Sequence, residues 1–265
     1  MAVFREYTSD DSFTDIDDIS AYGVSEFQVA LTFARDRDGE DLTNGKFIPS
    51  WDTTRVTPQV IKNFKKRFPS AKVLVSIGND NGHFPFQINE GHVSEWIQAA
   101  TKSLTHIIQE YNLDGLDVYY EDIEVTSPAI FVCCVGEVIK NLKQSEVITR
   151  ASISPNSDTC EEYYWPLYQD FGDFIDNIVF QCFTSRVAAA ENNNRVDHNV
   201  LLEKFKRFAD NNKFLLGYTG IREDWPSALF PPPDLFVFIF LFFYYGDIIG
   251  ASIKVARSSI TYFPP

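Results

Sequence analysis

Eight short runs rich in Val, Ile, Phe and Tyr alternate with amphipathic stretches from end to end of the chain. They are AVFREY (2–7), EFQVALTFA (26–34), KVLVSIG (72–78), LDGLDVYYE (113–121), TRASIS (149–154), NIVFQCF (177–183), KFLLGYT (213–219) and IIGASIKV (248–255). Runs of this composition read as strands. Between the third and fourth, Val93, Trp96, Ala100, Leu104, Ile108 and Tyr111 keep three- and four-residue spacing, as in a helix with one buried face. TPQVIKNFKKRFP (57–69) offers Thr57 as a cap and Pro58 at the first helical position, and a third helix is expected over 127–144. Strands and helices alternating over 265 residues predict one domain, 1–265, folded as an α/β (β/α)8 TIM barrel. An open doubly wound sheet is disfavoured, because no G-x-G-x-x-G loop follows the first run. Only ARSSITYFPP follows the eighth run, so the last helix is expected to be truncated.

Charge narrows the partners. Lys and Arg number 23 against 37 Asp and Glu, a net charge of -14, and a surface that acidic repels phosphate backbones and anionic lipid. Neither nucleic acid nor membrane is expected as a partner. The most apolar run, LFVFIFLFFYY (235–245), falls short of the roughly 20 residues that span a bilayer and reads as a buried element. The N-terminal MAVFREYTSD has neither a basic leader nor an apolar core, so no signal peptide is expected. A soluble intracellular or vacuolar protein, or a mature secreted form, is then expected. Cys133, Cys134, Cys160 and Cys182 show no C-x-x-C spacing and are expected to be buried thiols rather than a disulfide framework. The four histidines have no metal-ligand spacing, and no cofactor or metal is implied.

The stretch LDGLDVYYEDIE (113–124) carries the chemistry. Alternate side chains of a strand share a face, so Asp117, Tyr119 and Glu121 point into the barrel while Val118 and Tyr120 pack under the helices. Glu121 comes last, at the C-terminal end where barrel active sites are built. A carboxyl kept protonated near neutral pH there is what a glycosidic general acid requires, and the alternative is a carboxylate tied into an interior hydrogen-bond network.

DGLDVYYE resembles the DGxDxDxE strand-four signature of family-18 glycoside hydrolases, the chitinases and their non-enzymatic relatives. VLVSIGND is similar to the family's strand-three SxGG segment over Ser76 to Asn79. VALTFA resembles strand two with Phe33 in the sugar groove, FREY resembles strand one with Tyr7 at the rim, and IVFQCF resembles the strand-six motif at Gln181 to Phe183. SWDTTRVTPQVIKNFKKRFPSAKVLVSIG is similar to the plant branch of bulb chitinases and narbonin.

The resemblance implies a substrate-assisted mechanism, outside the two-carboxylate rule of most glycosidases. The strand-end Glu protonates the glycosidic oxygen, and the acetamide of the substrate attacks the anomeric carbon. An Asp two residues earlier holds that acetamide and balances the oxazolinium cation, and a strand-six Tyr hydrogen-bonds it. Glu121 then takes the acid's place and Asp117 that of the inner carboxylate. The other positions depart. Tyr119 stands where the acetamide-holding Asp is expected, and a phenol with pKa of about 10 carries no charge at pH 7. Phe183 replaces the strand-six Tyr, Asn79 the second glycine, and Lys254 the strand-eight Trp. One electrostatic stabiliser is worth about 10²–10³ in kcat, so hydrolysis is expected to be weak or lost.

Three functions remain open on this reading: an active chitinase cleaving β-1,4-linked N-acetylglucosamine polymers, a chitin-binding lectin using Tyr7, Phe33, Tyr119 and Phe183 as stacking faces, and a narbonin-like storage protein. A monomer acting on chitin or its oligosaccharides is expected.

Overall fold

The computed structural model describes residues 3–8, 26–79, 84–156, 158–181, 213–219 and 250–254. Phe183, Cys182, the aromatic run 235–245 and the closing segment 256–265 lie outside the described residues.

Eight parallel strands close on themselves. They are β1 (Val3–Thr8), β2 (Glu26–Arg35), β3 (Lys72–Asn79), β4 (Gly115–Tyr120), β5 (Arg150–Ile153), β6 (Asn177–Gln181), β7 (Phe214–Thr219) and β8 (Gly250–Lys254). Each pairs with the next, and β8 pairs back onto β1 with Val3 opposite Gly250 and Tyr7 opposite Lys254. The predicted barrel is therefore observed, and all eight strands fall on the runs that predicted them. Closure leaves no edge among the eight.

The described helices are α1 (Pro58–Arg67), α2 (Val93–Tyr111), α3 (Pro128–Gln144) and α4 (Trp165–Phe171). Thr57 caps α1 by accepting a hydrogen bond from the Val60 amide, and Lys65, Lys66 and Arg67 complement the dipole at its other end. Asn112 ends α2 in the left-handed conformation at φ 53°. Trp96, Ala100, Leu104 and Ile108 of α2 and Phe131, Val135 and Ile139 of α3 are buried against the outer face of the sheet, where Val75, Val118 and Tyr120 meet them. Among the described residues no helix is long and apolar enough to cross a membrane. Cys134 and Cys160 are buried free thiols, but Cys133 is exposed because it falls on the outer face of α3.

Beyond the end of β2 the sequence reading missed a small structure. Arg37–Asp38 and Asp41–Leu42 form a hairpin, and Ile48–Pro49 pairs antiparallel with Ala34 and Arg35. The hairpin turns at Gly39, with φ 61°, and its two-residue strands are too short to give a periodic signal. Asp36 anchors it: Trp96 Nε1 donates to Asp36 Oδ2 at 3.0 Å. Gly45, at φ +87°, lets the loop lie on α2, since a Cβ there would stand 2.5 Å from the Trp96 carbonyl oxygen.

Candidate functional site

β4 obeys the two-residue alternation. Val118 and Tyr120 belong to the outer core, Tyr119 to a separate inner cluster with Val3, Tyr7, Ala30, Phe33, Val179 and Leu215. Tyr164 clamps the outer side of the strand by accepting from the Tyr120 amide at 2.8 Å and donating to its carbonyl at 3.1 Å. On the neighbouring strand, Gly78 sits at φ +133°, and a Cβ there would collide with the Tyr119 carbonyl at 1.8 Å. The first glycine of the strand-three motif is thus a condition for β4 to lie where it does.

At the mouth, three of the predicted site residues meet. Tyr119 packs against Tyr7 and Phe33 with ring centroids 5.6 Å apart in each case. Their exposures are 1% for Tyr119, 2% for Tyr7 and 4% for Phe33, so these rings pack edge-on or tilted against one another and are closed to solvent. The Tyr119 hydroxyl donates to Glu121 Oε1 at 2.9 Å. Glu121 lies one residue beyond β4, is half-buried, and its carbonyl accepts from Asn156 Nδ2 at 3.4 Å. The candidate acid is therefore in place at the strand end, held by the residue that replaces the expected Asp.

Below the rings lies a polar layer. Asp117 is wholly buried, and Arg5 of β1, equally buried, reaches across the barrel to it with Nη1 2.8 Å from Oδ1. Ser152 and Ser154 also donate to Oδ1, the latter at 2.9 Å, and Ser76 donates to Oδ2 at 2.9 Å. Arg5 Nε donates to Gln28 Oε1 at 2.9 Å, and Gln28 passes the contact to Asn177 Oδ1 at 2.9 Å and Glu26 Oε1 at 2.7 Å. Burial opposes the Arg5 charge, but Tyr7 and Asp117 more than offset it, and its pKa stands above the ordinary value. Burial, and then the Asp117 charge, push the Tyr7 hydroxyl well up, so it stays neutral and is hydrogen-bonded to Ser154 Oγ at 2.9 Å.

The remaining predicted residues are less engaged. Gln181 closes β6, 2% exposed, and its Nε2 has no hydrogen-bond partner among the described residues. Asn79 and Lys254 are the last residues of β3 and β8. Sequence reasoning missed Arg5, Gln28, Ser152 and Ser154. The signal for Arg5 was available: with Tyr7 taken as inward, the period of two puts Arg5 inside as well, and a buried guanidinium demands an acid.

Chemically, the arrangement offers one carboxyl group at the strand end and a second, paired with Arg5, sunk beneath a ring. No charged group among the described residues stands between them on β4 to balance a cation.

The comparisons agree with this geometry. No family model matches the chain. The RuBisCO-associated protein of Glycine max is 43% identical over 268 positions, spanning 99% of this chain and 93% of that protein. Chitinase 1 of Tulipa saxatilis is 34% identical over 188 positions, 68% of this chain and 59% of that enzyme. Among solved structures, the family 18 chitinase of Crocus vernus superposes with a TM-score of 0.78 at 28% identity, covering 95% of this chain and 92% of that one. The catalytic domain of a fern chitinase from Peteris ryukyuensis gives 0.78 at 29% identity, with 95% and 90% covered. With the barrel closed in family register and the DGxDxDxE positions falling on β4 and its end, the chain belongs to the plant chitinase-like branch of glycoside hydrolase family 18.

Proposed function

We propose that this chain is a chitinase-like protein that does not hydrolyse chitin. The observation that carries the reading is Tyr119, a buried ring in the place of the acetamide-holding Asp, with its hydroxyl on Glu121. Glu121 keeps the acid's place, but the ring occupies the space beside it and brings no charge with which to balance an oxazolinium. Losing one such stabiliser costs about 10²–10³ in kcat, and the steric block adds to it. The replacement of the strand-six Tyr by Phe183 points the same way. Residual recognition of β-1,4-linked N-acetylglucosamine oligomers then rests on the barrel mouth, where β6 ends at the buried Gln181, whose Nε2 has no hydrogen-bond partner among the described residues. The 265 residues act as one monomeric barrel domain without a cofactor.

A second reading of the partner is supported by the likeness to the soybean RuBisCO-associated protein over 99% of the chain. In that reading the barrel is a scaffold for association with RuBisCO, and the filled mouth is the mark of a protein released from catalysis. One set of measurements separates the readings. Release of sugar from chitin oligosaccharides, abolished by Glu121→Gln, contradicts the loss of hydrolysis. Calorimetric binding of the same oligomers without release supports sugar recognition, and co-elution with RuBisCO in its absence supports association.

A further inference from the structure

We propose that the exposed face of α1 is the surface through which this barrel docks on an acidic patch of RuBisCO; the inference rests on the association reading above. Charge is unevenly spread along the chain. Residues 53–72 hold six of the 23 Lys and Arg, namely Arg55, Lys62, Lys65, Lys66, Arg67 and Lys72, and none of the 37 Asp and Glu. By contrast α2 sets Glu95 and Glu110 against Lys102, and α3 sets Glu137 against Lys140 and Lys143. Three of the six cations are engaged within the chain. Lys65 Nζ lies 2.7 Å from Asp114 Oδ2, Lys72 Nζ 3.9 Å from Asp114 Oδ1, and Arg55 Nε 3.5 Å from Asp52 Oδ2. Arg67 lies over the Phe68 ring, 4.7 Å from its centre, and stays exposed. Lys62 and Lys66, one turn apart on the exposed face, form no ion pair among the described residues. Ile61 and Phe64 bury the opposite face, so the helix holds these lysines outward.

A cationic face without acids asks for an anionic partner, and the rest of the chain selects the class. Outside residues 53–72 the remaining 17 bases face all 37 acids. A helix of this length spans about 15 Å, so a nucleic acid or lipid sheet reaching past it meets that excess of like charge. A protein can confine its carboxylates to a patch of that size, and screening over about 8 Å at physiological salt separates the patch from acids elsewhere. A second copy of this chain is disfavoured, because each carries a net charge of -14. The face also lies away from the barrel mouth. Lys65 reaches Asp114, which precedes β4, whereas Glu121 follows it, so docking on α1 leaves the rings and the candidate acid uncovered.

The test is surface plasmon resonance of the full chain on immobilised RuBisCO holoenzyme. Lys62→Glu/Lys66→Glu is compared with Lys46→Glu/Lys102→Glu, which makes the same change in net charge at two exposed lysines off α1. Affinity should fall at least about ten-fold in the first variant, the scale of two reversed surface contacts, and less than about two-fold in the second. Raising salt from about 0.1 M to about 1 M shortens screening from about 10 Å to about 3 Å, and should weaken the unaltered protein and narrow its lead over the first variant. Binding lowered by neither variant, or equally by both, overturns the proposal. Both α1 positions are exposed, so the first variant should melt with the unaltered protein. A drop of several degrees would mean that acids of this same chain occupy the face, and overturns it too. Self-association abolished by the first variant would assign the face to a second copy, and equal affinity for a short DNA duplex would make it a general polyanion site; either result overturns docking on RuBisCO. No binding of RuBisCO by the unaltered protein would instead sink the association reading itself, so the two failures are distinguishable.

Discussion

The same strands build two interiors of opposite character. On their outer side, Val75, Val118 and Tyr120 meet Trp96 and Phe131 in a continuous apolar layer. On their inner side, Arg5, Gln28, Ser76, Asp117 and Ser152 form a buried polar layer beneath the rings of Tyr7, Phe33 and Tyr119. The outer layer is non-directional, and its energy grows with area. The inner layer depends on each donor finding its acceptor, because a buried charge left alone costs several kcal/mol. Among the described residues, the motif's Asp117 and the departure at Tyr119 both sit on the inner side.

The largest expected effect contrasts the two layers. Asp117→Asn leaves the Arg5 charge buried without its counter-ion and should cost about 3–5 kcal/mol. Adding Arg5→Met to Asp117→Leu should recover most of that loss, since a buried pair exchanged as a unit for apolar groups is often nearly neutral. Phe131→Ala should also cost about 3–5 kcal/mol, but through a cavity that no partner substitution at the floor can repair. Urea denaturation of the cycle checks both, and simple additivity of the Arg5 and Asp117 changes would break the contrast.

Asp36 supplies a pH-dependent comparison between the mouth hairpin and the rest. Burial raises its pKa to about 6, against the weaker opposing pull of the Trp96 Nε1–H bond. The folded form thus holds the proton more tightly than the unfolded chain does. Stability from this group is complete below about pH 4 and declines as the pH rises through about 6. Asp36→Asn, which can still accept from Trp96, should gain about 2–3 kcal/mol at pH 7.5 and nothing at pH 4. Denaturation at the two pH values decides it, and an equal effect at both contradicts the assignment.

How much of this was legible in the sequence follows from the same division. All eight strands fall on their predicted runs, and Thr57, Pro58 and the face of α2 were readable, because period and capping are local. Asp117, Tyr119 and Glu121 were found through a motif, and the alternation along β4 placed them correctly. Arg5 and the serines were not found, because their meaning lies in partners more than a hundred residues away or on other strands: Arg5 meets Asp117 at a separation of 112. The hairpin after β2 escaped because its strands are only two residues long. The burial of Tyr7, Phe33 and Tyr119 on one another also could not be read from the motifs, which fix the face a ring is on and not whether solvent reaches it.

A smaller effect concerns the link between the rings and the acid. Tyr119→Phe removes the hydroxyl that donates to Glu121 Oε1 and should cost about 0.5–1.5 kcal/mol, with no appearance of hydrolysis. Thermal melting and a sugar-release assay check the two halves, and turnover in this variant would mean that the hydroxyl, not the ring, holds Glu121 inactive.

The central claim is that Tyr119 fills the pocket rather than serving as a platform for sugar. Calorimetric titration of an N-acetylglucosamine tetramer into the unaltered protein and into folded Tyr119→Ala tests it most directly. Affinity at least about ten-fold higher in Tyr119→Ala is the predicted result. Equal or weaker binding by Tyr119→Ala would contradict it and make the ring a stacking face.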